Sequence, residues 1–140
     1  MTVEFTQKFS TENTITIAAF ATLAAAATAT SDAIDNSTSL YDEVILELKA
    51  AYSEANQSAA WLDVRIYASL DGGTDYSSWT TPAIILPAFD LSAAGSSTTV
   101  IYHARFVPPQ RWKLAIKSNM TTNALDVGSA SYQGVTYLGT

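Results

Sequence analysis

The chain has 140 residues, room for one domain whose core needs no covalent staple, and it holds no cysteine, which removes disulfides, thiolate metal sites and cysteine nucleophiles together. Apolar residues make up 48% and charged residues 14%, a globular composition in which Ser and Thr fill much of the polar share. The net charge of −6 opposes nucleic-acid binding by phosphate neutralisation, and one histidine leaves few routes to acid–base or nucleophilic catalysis.

In chain order, residues 1–12 carry no hydrophobic period and read as an N-terminal arm, with residues 13–140 as a single domain. The uncharged stretch between Glu12 and Asp32 is interrupted by Thr14, Thr16, Thr22, Thr28 and Thr30, so it is no membrane span. Glu4 and Glu12 stand where a signal peptide needs basic residues, and the chain is expected to stay in the cytoplasm that makes it. The sequons at Asn36, Asn56 and Asn119 are then chance products of a Ser/Thr-rich sequence.

Strands are expected weakly over 14–20 and 25–30 and clearly from Val44 onward, where Val44, Leu46 and Leu48 alternate with Glu43, Glu47 and Lys49. Helix is conceivable only over 43–60, where Ala50, Ala51, Glu54 and Ala55 favour it, but the period of two and the breaker Asn56-Gln57-Ser58 favour strand and loop. Alternation is clearest over 62–70, with Leu62, Val64, Ile66, Ala68 and Leu70 on one side. It returns over 100–106 (Val100, Tyr102, Ala104, Phe106) and 112–117 (Trp112, Leu114, Ile116), with weaker runs over 83–86 and 132–138. Turn chemistry separates these runs: residues 32–39, Asp71-Gly72-Gly73, residues 93–97, Pro108-Pro109 and Ser118-Asn119. Seven or eight strands, each with one apolar face, must pack as two sheets or close on themselves. The expected fold is all-β, a single β-sandwich of the jelly-roll type with a short N-terminal arm.

Several residues invite chemistry. Ser69-Leu70-Asp71-Gly72-Gly73-Thr74-Asp75-Tyr76 resembles the hairpin box of sialidase-type propellers, in which the aspartate accepts backbone N–H groups and a glycine takes a positive φ. A propeller repeats the box and a calcium site needs more oxygen ligands, so a lone hairpin is the plainer reading. His103 would have to serve any triad, yet it falls on the polar side of a strand beside Arg105. Glu43, Glu47 and Asp63 are candidates for glycoside cleavage, although no local pattern gathers them in one cleft. Trp61, Tyr67, Tyr76 and Trp79 are candidates for sugar stacking, Trp79 foremost because it lies in a loop; core or subunit contact is the alternative. No catalytic, cofactor or metal site is expected.

Charge is distributed unevenly. Residues 1–75 hold 11 of the 13 acids and three bases, whereas the rest hold two acids with Arg105, Arg111, Lys113 and Lys117. These four are expected on the outward faces of consecutive strands, as a basic surface suited to an acidic partner or to the acidic half of another copy.

Taken in order, Asp35-Asn36-Ser37-Thr38, then Ser69 to Thr74, then Val107-Pro108-Pro109-Gln110-Arg111-Trp112, then Asn123-Ala124-Leu125-Asp126 before a Tyr/Gly-rich segment resemble small virion structural proteins of tailed bacteriophages over about residues 25–140. The resemblance implies a non-enzymatic β-sandwich of the capsid cement (decoration) type, made in the host cytoplasm and located in the virion. Its implied partners are the major capsid protein or other virion subunits and copies of itself, with a cyclic trimer expected, and neither nucleic acid nor membrane. The arm is expected to order on a partner's sheet edge. Two other classes fit the composition: a tail or baseplate component, including a receptor-binding, carbohydrate-recognising lectin-like module, and a glycan-active enzyme.

Overall fold

Strands with one apolar face need a second sheet to cover that face, and two antiparallel sheets pack in this way. A computed structural model describes residues 5–53, 59–95 and 98–139. In chain order its strands are β1 (Phe5–Phe9), β2 (Asn13–Ile15), β3 (Thr28–Thr30), β4 (Ile34–Asp35), β5 (Glu43–Ala51), β6 (Trp61–Ala68), β7 (Ile84–Ile85), β8 (Phe89–Asp90), β9 (Val100–Phe106), β10 (Arg111–Ser118) and β11 (Val127–Gly139). One 3-10 turn, Phe20–Thr22, is the only helical element among the described residues.

The first sheet runs β1-β11-β5-β9, with β2 also on β11; the second runs β3-β10-β6-β7, with β4 also on β10 and β8 also on β6. Each short pair (β1 with β2, β3 with β4, β7 with β8) therefore acts as one interrupted edge strand, giving eight strand positions. Their pairing is nested: first with last (β1 and β2 on β11), second with seventh (β3 and β4 on β10), third with sixth (β5 with β9), fourth with fifth (β6 with β7 and β8). Two further ladders, β11 with β5 and β10 with β6, join the halves of each sheet.

Inward residues of the long strands fill the space between the sheets: Val44, Leu46, Leu48 and Ala50 from β5, Leu62, Val64 and Ile66 from β6, Tyr102 and Phe106 from β9, Trp112, Leu114 and Ile116 from β10. Each fully buried aliphatic side chain contributes about 1.5–3 kcal/mol. Trp112 is completely buried, with the Phe106 and Tyr132 rings edge-on to it at 5.1 and 5.6 Å. Among the described residues its Nε1 has no hydrogen-bond acceptor.

Residues 43–51 are strand to the end, as their period of two favoured, with Ala50 and Ala51 buried; the Asn56-Gln57-Ser58 breaker lies outside the described residues. Several other expectations need correcting. The alternating run from Leu62 stops at Ala68, and Leu70 is fully exposed on the following loop. The weak strand over 14–20 shrinks to β2 and a single bridge from Ile17 to Ser31, after which Ala19 takes a φ of 62° and the chain turns. Within the expected arm, Phe5–Phe9 is an edge strand of the first sheet, in register with β11 from Phe5 opposite Gly139 to Phe9 opposite Val135. It carries no readable period because Thr6, Gln7, Lys8 and Phe9 are all exposed; backbone pairing holds it there. Residues 1–4 of that arm lie outside the described residues.

Candidate functional site

Alternation along β6 and β10 sends Asp63, Arg65 and Tyr67 outward beside Arg111, Lys113 and Lys117. Register sets Lys117 opposite Asp63, Ala115 opposite Arg65 and Lys113 opposite Tyr67. The chain after β6 does not leave this face. Ser77 N donates to the Ala68 carbonyl (3.0 Å) and Ala68 N to Ser77 Oγ (3.1 Å), which folds the loop back on the strand.

Asp71 organises the tip of that loop. Its carboxylate accepts Ser69 Oγ–H (2.7 Å), Thr74 N–H (3.1 Å) and Asp75 N–H (3.0 Å), while Gly73 N–H donates to Ser69 Oγ (2.8 Å). Gly72 and Gly73 hold φ values of 79° and 102°, which side-chain-bearing residues resist. A Cβ on Gly73 would also stand 2.9 Å from the Arg111 guanidinium. Donation from Asp75 N–H, then from Ser69, keeps the Asp71 carboxyl below its ordinary range. Its oxygens are taken up by these donors, which is hairpin chemistry rather than calcium chemistry.

Two aromatic rings then lie against the cations of the sheet. Lys113 Nζ stands 4.4 Å from the Tyr76 ring, Arg65 Cζ 4.1 Å from the Trp79 ring and Lys117 Nζ 5.9 Å from the same ring. Arg65 also donates to the Trp79 carbonyl oxygen. Arg111 reaches Asp35 at 3.3 Å, and the hydrogen bonds of Ser37 to Asp35, followed by the field of Arg111, hold that carboxyl low. At the far end, Asp63 accepts Trp61 Nε1–H (3.2 Å) and Asn119 Nδ2–H (2.6 Å). Among the described residues Arg65, Lys113 and Lys117 have no carboxylate within ion-pair distance. Each cation–ring contact is worth about 0.5–1 kcal/mol at such half-open positions.

This surface corrects the expected basic face. Arg111, Lys113, Lys117 and Trp79 share it, but Arg105 does not: β9 belongs to the first sheet, where Arg105 lies 3.8 Å from Glu43 on the opposite side of the sandwich. Residues 107–110 cross between sheets, so strands consecutive in the chain present opposite outer faces. Arg65 takes the vacant place, hidden from a charge count because it sits in the acidic half of the chain. Trp79 is half-buried over Arg65 and is no freestanding platform.

The first sheet's outer face carries the other candidates. Glu47 of β5 is opposite His103 of β9 on one side and Ser131 of β11 on the other. His103 Nε2 bonds Glu47 Oε2 at 2.8 Å, Lys49 Nζ reaches Glu47 Oε1 at 3.0 Å, and these two, His103 foremost, hold the Glu47 carboxyl low. With strands about 4.8 Å apart, Ser131 and His103 are about 9.6 Å from one another with the acid between them. A hydrolytic relay needs the histidine in the middle, so this trio is not in relay order. Glu43 and Glu47 face outward from one sheet and Asp63 from the other, and they share no cleft. The described residues include no cluster of three potential metal ligands and no helix long and apolar enough to cross a membrane.

No protein-family model matches the chain, and no curated protein is similar to it.

Proposed function

We propose that the protein is a non-enzymatic structural subunit of a bacteriophage particle, a capsid cement protein that docks on the head lattice through the outer face of its second sheet. The carrying observation is the set of three cations, Arg65, Lys113 and Lys117, without carboxylate partners among the described residues, on a face braced by Tyr76 and Trp79. Aromatic side chains and arginine are enriched in protein interfaces, and cations held over rings are partly desolvated before a partner arrives. We read the nested eight-strand pairing as a jelly roll, an architecture used by viral capsid and lectin domains, which supports the reading by analogy of fold alone.

Purified heads and tails analysed by mass spectrometry test the assignment: the protein belongs with heads, and recovery only with tails overturns it. Lys113→Glu with Lys117→Glu should slow binding to undecorated heads and flatten its salt dependence, since these charges steer encounter. Trp61, Tyr76 and Trp79 on the same face favour a second reading, a tail module that holds host polysaccharide. Under that reading tryptophan fluorescence shifts on adding the polysaccharide and Trp79→Ala abolishes the shift.

A further inference from the structure

The sandwich has four sheet edges, and they differ in kind. Three are broken into short pieces: β1 and β2 of five and three residues, β3 and β4 of three and two, β7 and β8 of two and two with Pro87 between them. Short or proline-interrupted edges resist strand addition. The fourth, β9, runs seven residues, pairs one-to-one with β5 from Val100 to Phe106 without a bulge, and contains no lysine, proline or glycine. Its other edge makes no backbone hydrogen bond to any described residue. The two polar side chains on its outer face are drawn back over β5, His103 to Glu47 at 2.8 Å and Arg105 to Glu43 at 3.8 Å. What remains outward along the edge is apolar: Ile101 is 53% exposed and Val107, the residue after the strand, 69%.

We infer that β9 is a self-association site, at which two copies of this chain pair antiparallel across a two-fold axis through Ala104 and continue the first sheet from one subunit into the other. The sequence of the edge is self-complementary about that residue. With Ala104 opposite itself, each copy's Ile101 meets the other's Val107, so both exposed aliphatic side chains are covered twice over. Tyr102 meets Phe106 on the inward face, and His103 meets Arg105 between their own glutamates. Cross-strand aromatic and β-branched pairs of this kind stabilise antiparallel ladders. The next pair would bring Pro108 opposite Val100, and proline, having no N–H, ends the ladder. The small side chain at the axis keeps the closest approach free of overlap. An isologous contact closes at two subunits, in place of the expected three-fold ring. The inference does not depend on where in a particle the protein resides.

Sedimentation equilibrium of the full chain should show a reversible dimer, and Ile101→Lys with Val107→Lys should weaken it by at least about tenfold. Both positions are exposed, so the circular dichroism spectrum and melting temperature measured at a concentration where each protein is monomeric should stay as in the wild type. Ile85→Lys, on the broken edge of the other sheet, should leave the dimer intact. In a chain without cysteine, Ala104→Cys should give a disulfide-linked dimer under mild oxidation, because the axis sets residue 104 against its own copy. A wild-type chain that stays monomeric at all concentrations overturns the inference and would leave the edge to a strand of another protein. A trimer, or a dimer indifferent to both lysines and not trapped by Ala104→Cys, overturns it by placing the contact elsewhere.

Discussion

Asp71 gathers two backbone N–H groups and a hydroxyl around one carboxylate, and each of those bonds favours the ionised form. Because its folded pKa is lowered, its contribution to stability is complete above the unfolded value and is lost as pH falls through the folded one. Protection of the Gly73, Thr74 and Asp75 amides against exchange, measured by NMR relative to the unstructured rate at each pH, should therefore fall at the acid end of that window, and Asp71→Ala should show the lowered protection already at neutral pH. Tyr102 titrates in the opposite sense. Burial pushes its phenol up to about 12, and its hydroxyl donates to the Pro87 carbonyl at 2.7 Å. A raised pKa gives stability that is present below the unfolded value and lost as pH rises toward the folded one, so the wild type should weaken between about pH 10 and 12. Absorbance at alkaline pH should show late ionisation by Tyr102 together with Tyr67, Tyr132 and Tyr137, whose phenols are also raised, and Tyr102→Phe should remove one tyrosine's share of that late amplitude. That variant should unfold about 1 kcal/mol more easily in urea, having lost one hydrogen bond.

Elements were legible where the two faces of a strand meet different surroundings. β5, β6, β9 and β10 each have core on one side and water on the other, and alternation marks them directly. β4, β7 and β8 span two residues each, too short for any period, and in β1 the side chains from Thr6 to Phe9 are all exposed, so only backbone pairing defines it. The candidate surface was half legible for a related reason. Alternation tells which side of its own strand Arg105, Arg111 or Lys113 occupies, but not which sheet the strand joins, and the crossing at 107–110 decides that. Arg65 was invisible as a member because its neighbours across the ladder, Ala115 and Ile85, are distant in sequence. β1 also changes what a truncation should do. Deleting residues 1–12 uncovers the β11 edge from Val135 to Gly139, so calorimetry should show a lowered melting temperature with the strand-rich circular dichroism retained, and the shortened protein should aggregate more readily than the full chain.

For the whole molecule, both sheets contribute to one core around Trp112, with no second apolar cluster among the described residues on which half of the sandwich could stand alone. Tryptophan fluorescence and far-ultraviolet circular dichroism should therefore report the same melting curve, and two separated transitions would show that the sheets unfold independently. The nested pairing has a consequence for how the chain is made. During synthesis β1 and β2 emerge first and their partner β11 last, and β11 is also one of the two neighbours of β5. The first sheet therefore cannot close on the ribosome until Val127–Gly139 has left the exit tunnel. Until then β5 has only β9 beside it and the apolar faces of both sheets wait without their full cover, which makes the nascent chain a natural client for chaperones.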